Sequence, residues 1–150
     1  MTEHAVPLAA WAALGYTPNA WQWDNVHTKT HRFIAGCTCR QCGKTMAMSA
    51  EIHNAMTRPA DPISGKHPYV GVMAVDFDRA DLPVMQWFEW YIAAFGADSA
   101  HINTNRHFIR LTSGALLRWF SSENPRGAAG PTYSDFFFDE SQWIANEAWV

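Results

Sequence analysis

The sequence predicts one α/β domain built on a mainly parallel sheet flanked by helices. Three observations lead there. Short apolar runs alternate with helix-like stretches in the order strand, helix, strand, helix, hairpin, strand. The last of those runs, Phe136-Phe137-Phe138, has no polar residue alternating through it, which is the pattern of a strand covered on both faces. A length of 150 residues with 48% hydrophobic and 17% charged side chains is enough for one buried core and excludes a disordered chain.

Residues 4–14 (HAVPLAAWAAL) read as a short helix or a packed N-terminal segment. Gly15-Tyr16-Thr17-Pro18-Asn19 is a turn by composition, and residues 20–30 can start a helix after it. Residues 32–36 (RFIAG) form an apolar run ending in glycine, a buried strand candidate. A loop over 37–43 leads into a helix over 44–56, rich in Ala and Met and free of Pro and Gly. Residues 58–68 hold three prolines and a glycine and read as a loop. Residues 69–75 (YVGVMAV) are the second strand. A helix is expected over 80–95, with Asp81 near its start, Pro83 in its first turn and Gly96 at its end. Residues 108–111 and 115–120 flank Ser113-Gly114 as a hairpin. Residues 124–131 (NPRGAAGP) read as a flexible loop, and 135–139 as a third buried strand ending in acid.

The formal net charge of −3 gives no global basic field, so a histone-like or tail-type nucleic-acid binder is excluded, while a local basic groove stays open. No uncharged apolar run approaches the ~18 residues of a membrane span. The N-terminus shows no basic region followed by an apolar stretch, so no signal peptide is expected. Cys37, Cys39 and Cys42 are an odd number within six positions, which fits a disulfide framework poorly and a reducing cytoplasm well.

Two motifs carry chemistry. The first is Gly43-Lys44-Thr45 between the strand and helix candidates. Glycine lets the backbone approach a phosphate and take positive φ. Lys44 then reaches β/γ-phosphate oxygens and Thr45 offers a hydroxyl to Mg²⁺, while the following helix points its N-terminal amides at the same anion. The usual glycine five positions before Gly43 is replaced by Thr38. Taken alone, the residues also fit a surface turn before a helix. Cys37, Cys39 and Cys42, with His27 and His31 upstream, also offer zinc ligands, although no second knuckle is present, and they serve equally as small loop residues.

The second motif is Asp139-Glu140 at the end of the phenylalanine strand. Carboxylates there project into the crevice where such sheets bind ligands. Asp139 can hold Mg²⁺, and Glu140 can orient and deprotonate a water for attack on a γ-phosphate. The same acids also fit the capped start of a helix.

In this order and spacing the sequence resembles the large terminase subunits of tailed phages, the ATP-driven motors that package DNA. Tyr16-Thr17-Pro18-Asn19-Ala20-Trp21-Gln22 is similar to the adenine motif of that family. The resemblance implies that Gln22 reads the adenine edge and that Tyr16 or Trp21 stacks on the base. Cys39-Arg40-Gln41-Cys42-Gly43-Lys44-Thr45 is similar to the family's phosphate loop, in which the first glycine is often absent. Arg40, Gln41 and Cys42 then join Gly43, Lys44 and Thr45 around the nucleotide, with Arg40 a candidate on the γ-phosphate in its own subunit. Tyr69 to Asp81, the hairpin from Leu111 through Ser122, and the Arg126-Gly127 loop also resemble the family. Arg126 is the candidate arginine that a ring motor supplies to the neighbouring subunit, or else a surface loop charge.

The resemblance runs from about residue 14 to 143 and implies a P-loop NTPase of the RecA/ASCE-like type with a β-hairpin insertion. It implies ATP and Mg²⁺ as cofactors. It implies double-stranded viral DNA, a portal protein and a small terminase subunit as partners, a homo-oligomeric ring and no membrane. The expected setting is the host cytoplasm, with transient docking on the procapsid. The 150 residues are expected to be the N-terminal portion of the ATPase domain, incomplete at the C-terminus and without the nuclease domain. The missing part includes the strand that inserts between the phosphate-loop strand and the acidic strand, so the isolated chain is expected to hydrolyse little ATP. A helicase-like ATPase is the alternative, but Glu140 is followed by Ser141-Gln142-Trp143 rather than the Ala-His or Ala-Asp typical of helicases. A small zinc-binding module is the third reading.

Overall fold

The structure is a computed structural model, and it describes residues 8–28, 34–35 and 41–144. Helix α1 (Leu8–Ala13) is followed by the short helix α2 (Ala20–Gln22), which continues as a π-helical turn over Trp23–His27. Helix α3 spans Lys44–Met56, as expected from its sequence. Of the strand expected over 32–36, only Ile34 and Ala35 fall within the described residues, and neither is in a strand.

Strand β1 (Tyr69–Ala74) leads into helix α4 (Phe77–Phe95). The helix starts earlier than the expected residue 80. The Asp76 carboxylate caps it by accepting the Arg79 backbone N–H at 2.8 Å, an interaction that contributes about 1 kcal/mol. Pro83 therefore lies in the helix interior, not in the first turn, and has no N–H to return to the Arg79 carbonyl. The Pro83 carbonyl and that of Thr45 both lie 2.9 Å from the buried Ser49 hydroxyl, which links α3 to α4 at this proline.

A 3₁₀ turn over Ala97–Ser99 opens β2 (Ala100–Asn103), a strand the sequence reading left out. β2 pairs antiparallel with β3 (Phe108–Leu111), and β3 pairs antiparallel with β4 (Leu116–Ser121). β4 then runs parallel to β1, and β1 runs parallel to β5 (Asp135–Phe138). The sheet order is β2-β3-β4-β1-β5. The sheet is thus mixed, with its antiparallel pairs confined to the hairpin extension. The segment read as a flexible loop holds a 3₁₀ turn over Pro125–Ala128.

β5 was expected to be covered on both faces, but all four of its residues are only half-buried. The reason is its place: among the described strands it pairs with β1 alone, at the sheet's end. The Arg58 guanidinium, just beyond α3, pairs with the Asp135 carboxylate where β5 begins. Opposite Phe136, the partner residue on β1 is Gly71. A Cβ at Gly71 would lie 2.4 Å from the Phe136 ring, so the ring rests directly on the glycine.

The main core packs α3 and α4 on the sheet through Ile52, Met56, Val70, Val72, Val84, Trp87, Leu117 and Trp119. Burying an aliphatic side chain of this size contributes about 1.5–3 kcal/mol. A second cluster of Trp11, Leu14, Tyr16 and Ala50 seats the N-terminal segment on α3. Among the described residues no helix is long and apolar enough to cross a membrane.

Candidate nucleotide-binding site

The site is built where α3 begins. Gly43, its N-cap, has φ 79° and ψ 29°, and Gln41 two residues earlier has φ 63°. Left-handed residues in such a turn point successive N–H groups into one concavity, a favourable seat for an anion. Gly43 has no side chain with which to cap α3, so the N-cap residue itself satisfies none of the first-turn amides. Lys44 and Thr45 are the first two residues of the helix, both half-buried.

The N-terminal segment braces this turn. Asn19 and Gln22 form a reciprocal capping box at α2: the Gln22 N–H donates to Asn19 Oδ1 at 2.9 Å, and the Asn19 N–H donates to Gln22 Oε1 at 2.7 Å. Gln22 Nε2 then donates to the Gly43 carbonyl at 2.8 Å, and Asn19 Nδ2 lies 3.4 Å from the Cys42 carbonyl. A Cβ on Gly43 would lie 2.5 Å from Gln22 Nε2. Any side chain here would hold a strained left-handed backbone and push the Gln22 amide off the Gly43 carbonyl.

The carboxylates arrive from β5. The Asp139 N–H donates to the Met73 carbonyl at 2.9 Å, extending the β1–β5 ladder by one residue. Burial raises the Asp139 carboxyl above its ordinary value, against the pull of the positive charges of Lys44 and then Arg79. The fold therefore brings Lys44 and Arg79 each within electrostatic reach of Asp139, although the three come from separate segments. Glu140 is left-handed at φ 49° and ψ 45°, its N–H donates to Asp139 Oδ1 at 3.0 Å, and its carboxylate pairs with Arg79. Backbone amides at a helix start, a lysine, a hydroxyl and a half-buried carboxylate are donor types that suit a magnesium–nucleotide complex.

The remaining predicted residues are placed as follows. Trp21 is half-buried. Tyr16 is only 3% exposed, and its ring packs against Trp11, His27 and Trp90. Its hydroxyl lies 2.7 Å from His27 Nε2, and His27 Nδ1 lies 2.5 Å from Glu51 Oε1. Burial, and then the Glu51 charge, raise the Tyr16 hydroxyl's pKa. Tyr16 is thus an anchor inside the second core cluster rather than a surface for stacking a base. Arg126 is exposed on its 3₁₀ turn, away from the other candidates in sequence and with no side-chain hydrogen bond or ion pair among the described residues. Arg40, Cys37, Cys39 and His31 lie outside the described residues. Cys42 is disulfide-bonded, contrary to the expectation of reduced thiols, and a disulfide sulfur is not a thiolate ligand for zinc. Among the described residues no cluster of three metal-ligating side chains occurs.

Asp76 and Arg79 are not among the site residues expected from the sequence. The signal for them was present as an aspartate directly after a strand with a helix beyond it, the N-cap pattern. The pairing of Arg79 with Glu140, 61 positions away, is not legible in any local pattern.

Residues 37–149 match the family model for "Terminase large subunit, T4likevirus-type, N-terminal". The fold is similar to the Thermus phage P74-26 large terminase ATPase domain, with a TM-score of 0.78 at 22% identity over 93% of this chain and 59% of that one. It is similar also to an arginine-to-alanine mutant of the same domain, with a TM-score of 0.75 at 23% identity over 93% of this chain and 60% of that one. The chain therefore spans about three fifths of the length of each solved domain. No curated protein matches it.

Proposed function

The chain belongs to the terminase large subunit family, and from that premise we propose that it is the N-terminal portion of an ATP-hydrolysing motor domain that drives viral DNA into a procapsid. The observation that carries this reading is the convergence of Lys44 and Asp139 at a helix N-terminus whose cap position is a left-handed glycine.

In this reading Gln41, Cys42, Gly43 and Lys44 cradle the phosphates of ATP, with Arg40 beside them. Lys44 neutralises the β/γ oxygens. Thr45 and Asp139 hold Mg²⁺, which when bound offsets the charge that develops on the phosphates. Glu140 orients the attacking water and takes its proton. Gln22 is only 3% exposed and spends one donor and one acceptor inside the protein, so its contact with the adenine edge would be made through the one donor and one acceptor left to its amide. Trp21 supplies the stacking face. Arg126 reaches a neighbouring subunit in a homo-oligomeric ring, where a guanidinium stabilises charge on the transferring group. Double-stranded viral DNA, the portal protein and the small terminase subunit are the partners this function requires, and host cytoplasm with docking on the procapsid is its setting.

The test is Lys44→Ala in the full-length protein. ATP binding or turnover is expected to be abolished, and wild-type hydrolysis by this variant would overturn the assignment.

A further inference from the structure

Glu140 adopts a backbone conformation that residues with a Cβ rarely hold, and such residues persist where surrounding contacts hold them. Two contacts are backbone: its N–H donates to Asp139 Oδ1 and its carbonyl accepts the Trp143 N–H at 2.9 Å. The third is the side chain, where Glu140 Oε2 pairs with Arg79 Nη1. Oε1 makes no hydrogen bond among the described residues.

Arg79 is itself fixed. It lies in the first turn of α4, its backbone N–H donates to Asp76 Oδ1 at 2.8 Å, and its Nε lies 3.6 Å from Asp76 Oδ2. Asp76 thus holds both ends of the residue. α4 follows β1, and β1 is the strand paired with β5, so the guanidinium and the carboxylate stand on adjoining parts of one rigid frame.

The two side chains are 48% and 35% exposed. An ion pair so open to water adds little to folding stability. Its effect is to fix where the carboxylate points, which matters for a group that must hold a water in line.

We propose that Arg79 is a positioning residue for hydrolysis, clamping one carboxylate oxygen of Glu140 so that the other is presented to the attacking water. This rests on the role given to Glu140 above. Arg79 need not touch the nucleotide; it acts through Glu140.

The experiment compares Arg79→Ala, Arg79→Lys and Glu140→Gln in the full-length protein. Arg79→Ala is expected to lower kcat by about ten- to a hundredfold. KM and the affinity for a non-hydrolysable ATP analogue should change by less than about twofold, since the group acts on geometry and not on binding. Arg79→Lys should recover part of the loss, because it keeps the charge but not the planar fork. Adding Arg79→Ala to Glu140→Gln should cost nothing further. Both Arg79 variants keep the backbone N–H that Asp76 caps, so α4 retains its start. Should Arg79→Ala fail to fold, Arg79→Lys against wild type still decides, and an undiminished kcat there overturns the proposal. An unchanged or raised kcat in Arg79→Ala, or loss of analogue binding, also overturns it. Wild-type turnover by Glu140→Gln would instead overturn the role of Glu140 itself.

Discussion

The side-chain amide of Gln22 donates to the backbone carbonyl of Gly43 across 2.8 Å, joining the first turn after α1 to the first residue before α3. The contact ties the segment proposed to read the base to the loop proposed to hold the phosphates. It is made while the same glutamine closes a capping box with Asn19. The group proposed to recognise the base edge is therefore held in place by its own short helix.

Gly43→Ala is expected to fail on two counts. The left-handed backbone costs about 1–2 kcal/mol for a residue with a Cβ, and the new methyl meets Gln22 Nε2 at 2.5 Å. Chemical denaturation should show a loss of that size plus the steric term. Gln22→Ala in the same chain should return the steric part, so the double mutant should be more stable than the sum of the singles predicts.

Arg126→Ala should leave nucleotide binding intact and reduce hydrolysis by on the order of a thousandfold. Mixing it with the Lys44→Ala variant checks where the arginine acts. If Arg126 serves a neighbouring subunit, mixed rings regain part of the turnover, because an Arg126 from one subunit then faces an intact Lys44 on the next. Mixtures that stay as inactive as either parent would refute the arrangement.

His53 gives the fold a pH dependence of its own. It is 1% exposed on α3, near Phe95 and Tyr91, and burial lowers its pKa from 6.5 to about 4. The folded state thus keeps the imidazole neutral where the unfolded chain protonates it. Its contribution is complete above pH 6.5, falls as the pH drops toward 4, and is constant below that. The loss across the window is about 3 kcal/mol. Denaturant midpoints measured from pH 7 to pH 4 should show this slope, and His53→Leu should flatten it. The Asp139 carboxyl, raised by burial, acts in the opposite sense and limits the net slope near the acid end.

The sequence revealed α3 to the residue because its boundaries are chemical: a glycine before it, and neither glycine nor proline within it. The hairpin and β5 were legible for the same local reason. What was hidden depends on distant partners. β2 is a short strand, Ala-His-Ile-Asn, whose pairing exists only through its register with β3. The start of α4 was misplaced because Pro83 was read as a first-turn residue, whereas the Asp76 cap outranks it. Tyr16 looks in sequence like an aromatic beside an adenine motif, and only its burial among Trp11, His27 and Trp90 shows what it does. The Arg79–Glu140 pair joins an element just after β1 to one just after β5, and no local pattern encodes that adjacency.

The close seat of Phe136 on Gly71 has a consequence for where the acids end up. Three successive phenylalanines fix their alignment against β1 only weakly, because sliding the strand by one residue replaces two of the three rings with another like it. The bare backbone of Gly71 breaks that degeneracy by leaving a slot for one ring. Once Phe136 occupies it, Phe138 falls opposite Met73, and Asp139 sits one step past the end of β5 with its N–H on the Met73 carbonyl and its carboxylate in the field of Lys44. The absence of a side chain on one strand is the ruler that measures out the position of a carboxylate on the next.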